Sequence, residues 1–241
     1  MATSTPDSKK LKELFQPFDT RFNKEKFQLN FPDYSIFRPA SVLIPLLYKD
    51  GEIHVLLTVR TKNMSSHAGH VAFPGGMDDP GDADAIATAL REAKEEVGIQ
   101  SEDVDIVAVL SPHFSRPNSL VTPVVGIVSS DFKLCTNPRE VDMAFDLPLK
   151  RFLSLDGRTQ ENFKLSEKVE LIIYSFQDTV NGHELVTFGF SALLCIQAAM
   201  VTFQSDLNMC FLKDVVVTKE NCFNAEATQA IVESWNAKAK L

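Results

Sequence analysis

Three carboxylates crowd one short run of this chain. Glu92, Glu95 and Glu96 fall within Arg91-Glu92-Ala93-Lys94-Glu95-Glu96-Val97-Gly98, which fourteen residues separate from Phe73-Pro74-Gly75-Gly76. At i, i+3 and i+4 the three glutamates share one helix face. Like charges at that spacing cost a helix roughly 0.2–0.5 kcal/mol per pair. A divalent cation that prefers oxygen turns the repulsion into coordination, so the segment reads as a hard-metal site. The plain alternative is a solvated acidic face. A glycine turn upstream and an adjoining arginine count against it.

The elements that must position these groups can be read around them. Ser41 to Tyr48 and Ile53 to Arg60 are apolar, β-branched runs, and Lys49-Asp50-Gly51-Glu52 between them predicts a hairpin. The loop from Thr61 to Pro74 carries His67 and His70. After the glycine turn, a helix starts near Asp82 or Asp84, either of which can cap it. Ile86, Leu90, Ala93 and Val97 form its apolar stripe, which leaves the glutamates toward solvent or a cleft. Gly98 stops it. Strands follow at Ile106–Leu110, Val121–Val128 and Val169–Phe176, then a buried helix at Phe190–Phe203 and a last helix at Ala225–Lys238. Leu11, Leu14, Phe15 and Phe18 suit a short amphipathic helix near the start, before a linker through Pro32 and Pro39. The alternation predicts an α/β fold, a mixed sheet sandwiched between helices.

Bulk properties narrow the partners. A net charge of −8 and a pI near 5.2 exclude nonspecific nucleic-acid binding, which needs a basic surface. Phosphate substrates stay open, because a bound cation inverts the local field. Cys135, Cys195, Cys210 and Cys222 are widely spaced and read as thiols in a reducing compartment. The N-terminus lacks the pattern of a secretory leader. Leu185 to Ser205 is uncharged, yet Thr187, Gly189, Ser191, Gln197 and Thr202 interrupt it, so a buried helix is expected and no membrane span.

Arg91 to Ile99 resembles the second half of the Nudix box, R-E-U-x-E-E-x-G-U, with Ala93 at the aliphatic position. The first half is offset by one residue: from Gly76 the expected glutamate falls on Asp82, and counting back from Arg91 it falls on Ala83. Asp82 and Asp84 are the candidate stand-ins. Upstream, Leu56-Leu57-Thr58-Val59-Arg60, Gly69 and Phe73-Pro74-Gly75-Gly76 resemble the signature of the coenzyme A diphosphatase branch of Nudix hydrolases. Thr61 and Ser65 depart from it, Ser65 replacing an arginine. Leu120-Val121-Thr122-Pro123, Asn137-Pro138-Arg139-Glu140-Val141 and Pro148-Leu149 look like the same branch.

That resemblance implies Mg²⁺ or Mn²⁺ held by Glu92 and Glu96, with the Gly76 carbonyl and Glu95 as further ligands, Glu95 alternatively orienting water. Arg91 orients the glutamates. Glu140 is either the base from a later loop or a surface glutamate after a proline turn. Arg60, Lys62, His67 and His70 are substrate contacts, Lys62 or a histidine substituting for the arginine lost at Ser65. His113 and Arg116, in an expected loop, and Phe114 are open candidates. The implied reaction splits the pyrophosphate of coenzyme A or its thioesters into 3′,5′-ADP and 4′-phosphopantetheine or its acyl form. Rivals are the same chemistry on ADP-ribose, NADH or another nucleoside diphosphate, and a weakly catalytic sensor of CoA or nucleotide. Ala239-Lys240-Leu241 resembles the peroxisomal Ser-Lys-Leu address, which implies a peroxisomal enzyme and an import receptor as partner. The expected organisation is an N-terminal extension over 1–36, a Nudix domain over 37–205 and a C-terminal segment over 206–241.

Overall fold

The computed structural model describes residues 8–27, 37–61, 69–115, 118–167, 169–207, 209–223 and 226–239. A first helix, α1 (Ser8–Phe15), buries Leu11 and Phe15, and a 3-10 turn then buries Phe18. The expected hairpin follows as β1 (Arg38–Lys49) and β2 (Glu52–Arg60), with Lys49 opposite Glu52. Asp50 and Gly51 both take positive φ, 53° and 86°, as a two-residue turn matched to strand twist requires. Short strands β3 (Val71–Ala72) and β4 (Gly75–Met77) pair with β2 and β1 respectively.

Helix α2 (Ala85–Val97) carries the glutamates. Of the two candidate caps, Asp84 does the work: its carboxylate accepts the Ala87 N–H at 2.9 Å. Gly98 closes the helix at φ 80°, and a Cβ there would come within 2.9 Å of Cys135. The first sheet is completed by β5 (Val104–Val109), β6 (His113–Ser115), β7 (Ser119–Val128) and β8 (Val141–Pro148). β1 runs parallel to β7 and antiparallel to β2, so the sheet is mixed. β8 pairs with β2 along its length, bringing Val141 opposite Arg60.

A second sheet follows, from β9 (Arg158–Lys164), β10 (Glu170–Val180), β11 (His183–Phe188), β12 (Met209–Leu212) and β13 (Val215–Val217). It straddles the boundary expected after residue 205, since β10 pairs with both β11 and β12. α3 (Gly189–Phe203) is apolar all round and packs into the larger core with Ile44, Leu57, Phe176 and Phe15. The uncharged stretch from Leu185 is thus split between the end of β11 and α3. No helix among the described residues is long and apolar enough to cross a membrane. α4 (Glu226–Ala239) comes last, leaving Lys240 and Leu241 outside the described residues.

The opposite face of the first sheet holds a smaller core, in which Ala89, Ala93 and Val97 of α2 meet Leu43, Leu56 and Val124. The stripe differs from its expected form at one position: Ala89 is fully buried, whereas Leu90 is half-exposed. Thr88, Ala89, Ala93, Glu96 and Val97 thus form the buried side of α2, which takes Glu96 in with it.

Candidate active site

Arg91 organises the outer half of the site. Its Nε and Nη2 both donate to Asp82, at 3.0 to 3.3 Å, while Nη2 also reaches the Met77 carbonyl at 3.0 Å. Nη1 donates to Glu92 at 2.8 Å and lies 3.6 Å from Glu95. Asp82 accepts further from the Thr88 hydroxyl and the Asp79 N–H. The Arg91 guanidinium holds the Asp82 carboxyl well below the usual carboxylate range, and Asp82 in turn raises the arginine. With Asp84 engaged as the helix cap, Asp82 is the acid that takes Arg91. The extra residue in the loop therefore leaves a carboxylate in reach of the arginine, one methylene shorter than glutamate.

The glycine turn presses on the helix. A Cβ on Gly76 would come within 2.4 Å of the Glu92 carboxylate, and one on Gly75 within 2.5 Å of the Ser41 carbonyl. The Gly75 N–H donates to Glu96 at 3.3 Å. Glu96 is 2% exposed and also meets Arg60 Nη1 at 3.4 Å. It is withdrawn from solvent between Arg60 of β2 and the Gly75 turn. Burial pushes its pKa up to about 7 against the pull of Arg60, and the Glu92 and Glu140 charges push the same way. Burial raises Glu92 as well, opposed by Arg91. Glu95 is 52% exposed and faces outward.

Glu140 enters from forty-four residues further along the chain. Its loop is stitched to the end of α2 by Asn137 N–H on the Glu96 carbonyl, at 2.9 Å, and Cys135 N–H on that of Val97, at 3.0 Å. Asn137 Nδ2 holds the Glu140 carboxylate at 3.1 Å, and the Glu140 carbonyl accepts Thr61 N–H at 2.9 Å. The negative charge of Glu140 is felt by both Glu92 and Glu96. Glu96 is buried and Glu92 and Glu140 are partly buried, whereas Glu95 is exposed. Among the described residues, no three His, Cys, Asp or Glu side chains are arranged to hold an ion as they stand, and Arg91 and Arg60 lie on the Glu92 and Glu96 carboxylates. The donor chemistry nonetheless suits a hard cation: oxygen ligands only, mutually repelling and partly desolvated.

The other candidates divide. Arg60 lies on Glu96. His70 stands opposite Arg60, accepting its backbone N–H through the carbonyl at 3.0 Å, and its ring meets Phe188. Lys62, Ser65, His67 and Arg116 lie outside the described residues. His113 is a correction. It belongs to strand β6, not a loop, and is buried with Nδ1 on the Ser111 carbonyl at 2.8 Å and its ring against Phe190 and Phe223. Burial lowers its pKa, so it is a satisfied core histidine and not a substrate contact. Phe114 packs edge-on against Phe37.

The NUDIX domain model matches residues 37–169, more than half of the chain. The chain belongs to the Nudix hydrolase family. It is 36% identical over 166 residues to the peroxisomal coenzyme A diphosphatase NUDT7 of Mus musculus, covering 68% of this chain and 70% of that protein. Nudix hydrolase 22, chloroplastic, of Arabidopsis thaliana is 38% identical over 173 residues, covering 70% of this chain and 57% of that protein. The uncharacterized Nudix hydrolase NudL of Photorhabdus laumondii is 48% identical over 120 residues, covering 50% and 64%. The chain thus spans less than two thirds of the last two relatives. Nudix hydrolases generally use divalent metals such as Mg²⁺ or Mn²⁺.

Proposed function

We propose that this Nudix protein hydrolyses the pyrophosphate bond of coenzyme A and its thioesters. The observation that carries the reading is the contact of Arg60 with Glu96, because it joins the Leu56–Arg60 block to the Arg91–Glu96 helix in one site. The likeness to the mouse coenzyme A diphosphatase supports it. Glu92 and Glu96 would hold Mg²⁺ or Mn²⁺, with the Gly76 carbonyl and Glu95 as further ligands, and the ion would supply charge neutralisation at the phosphates and a more acidic water. Arg91, fixed by Asp82, keeps Glu92 aimed inward. Glu140 accepts the proton of the attacking water. Water oxygen adds to one phosphorus, the bridging P–O bond breaks, and the departing phosphate takes the electron pair. Positioning and charge neutralisation supply most of such a rate, with no covalent intermediate needed. Arg60 and His70, with Lys62 and His67, contact the phosphates. Ser65, in place of an arginine, keeps ADP-ribose, NADH or another nucleoside diphosphate open as the second reading.

Incubation with CoA and Mg²⁺ should release 3′,5′-ADP and 4′-phosphopantetheine, and a parallel panel with ADP-ribose and NADH should be cleaved more slowly. No CoA cleavage at high enzyme, with metal bound, rejects the reading. The likeness to a relative named as peroxisomal supports a peroxisomal location, and relatives named as chloroplastic and mitochondrial also match. A fluorescent fusion should then give punctate localisation that coincides with a peroxisomal marker.

A further inference from the structure

β11 lies beyond the segment matched by the family model, and it brings apolar surface to the edge of the site. Val186 and Phe188 project outward at alternate positions and are 42% and 38% exposed. Such neighbours stand about 7 Å apart, forming a short strip along the strand. One end touches the site: the Phe188 ring meets that of His70 at 4.9 Å. His70 pairs with Arg60, whose Nη1 reaches Glu96. The Nε of Arg60 is buried and has no hydrogen-bond partner among the described residues. An unpaired buried donor is costly, and a ligand oxygen placed there would satisfy it.

The rest of this face selects among the parts of a substrate. By register, Ser175 and Gln177 of β10 flank Phe188 and Val186, with Thr159 of β9 beyond and Glu184 opposite Thr179. None of these positions carries a cation. A nucleotide arm with an extra phosphate needs arginine or lysine around it. An uncharged arm with amides and a hydrocarbon end suits a strip of valine and phenylalanine bordered by hydroxyls and an amide. We infer that Val186 and Phe188 form the bed for the pantetheine arm and acyl chain of the substrate, with His70 and the Arg60 Nε at its head next to the phosphates. The inference rests on the coenzyme A diphosphatase reading and assigns the half of the substrate bound by β11.

The test compares wild type with Phe188→Ser and Val186→Ser on CoA and octanoyl-CoA, and measures inhibition by 3′,5′-ADP, which lacks the arm. Phe188→Ser should raise KM for octanoyl-CoA about tenfold, the scale of losing one large apolar contact. Its kcat should stay within about twofold and its inhibition constant for 3′,5′-ADP should be unchanged. Val186→Ser should act in the same direction on octanoyl-CoA more than on CoA. Equal shifts for octanoyl-CoA and 3′,5′-ADP, or none, overturn the inference while leaving CoA hydrolysis standing. A wild type that cleaves no CoA removes both readings together. If Phe188→Ser instead turns a dimer into a monomer with KM unmoved, the strip is a contact between copies and the inference fails.

Discussion

The site has an outer and an inner half, each built from carboxylates beside an arginine, with opposite results. In the outer half, Arg91 forms several close hydrogen bonds with Asp82 and one with Glu92. In the inner half, Glu96 has one 3.4 Å contact with Arg60 and one 3.3 Å bond from Gly75, in almost complete burial. Hydrogen bonding dominates at Asp82 and desolvation at Glu96, so the Asp82 pKa falls while that of Glu96 rises to about 7. Asp82 is satisfied without a ligand, whereas burial raises Glu92 as it does Glu96. The inner half holds an acid whose charge needs a stronger counter-ion than Arg60 provides, as a divalent cation would be.

The contrast can be broken most severely at Glu96. On the proposed reading, Glu96→Gln should lower kcat about a thousandfold, or ~4 kcal/mol of barrier, while the fold persists because the amide still accepts from Gly75. Turnover at the wild-type level would place the metal elsewhere. Asp82→Ala tests the outer half, where the loss should be about 10–100-fold in kcat, the size seen when a ligand's supporting partner is removed. Steady-state kinetics against Mg²⁺ concentration would separate weaker metal binding from slower chemistry.

Acidity sharpens the same difference. Protons and cations compete for Glu96, so Mn²⁺ affinity by calorimetry should drop about tenfold per unit as pH falls below about 7. In metal-free protein the sign for stability is the reverse of a normal ion pair. Between the ordinary value of 4.5 and about 7, native Glu96 holds a proton that the unfolded chain has released. Its contribution to stability is therefore full below that window and declines as pH rises through it. Thermal denaturation of Glu96→Gln should lack this slope. The smallest effect belongs to Asp84→Ala: about 1 kcal/mol of stability from a lost cap, measured by urea titration, with turnover kept.

Much of the scaffold could be read along the chain. The hairpin turn at Asp50-Gly51, the stop at Gly98 and the apolar run of α3 each depend on neighbours within a few residues, so local pattern suffices. β8 was missed although Val141, Met143, Phe145 and Leu147 alternate with Asp142, Ala144 and Asp146, the period of a half-buried strand, and its pairing with β2 makes that alternation plain. His113 was misplaced for a different reason: nothing next to it in sequence announces Phe190 and Phe223. Asp82 and Asp84 are indistinguishable as letters two residues apart, and hydrogen bonding separates their roles.

Residue order alone decided that an arginine and three glutamates share a helix behind a glycine turn, since helical spacing is a property of the backbone. Which of those acids face inward depended on packing. Ala89 rather than Leu90 sits against the sheet, and that rotation buries Glu96 and exposes Glu95. The approach of Glu140 and the contact between His70 and Phe188 also awaited the fold, because strand pairing and loop closure bring together groups far apart in the chain.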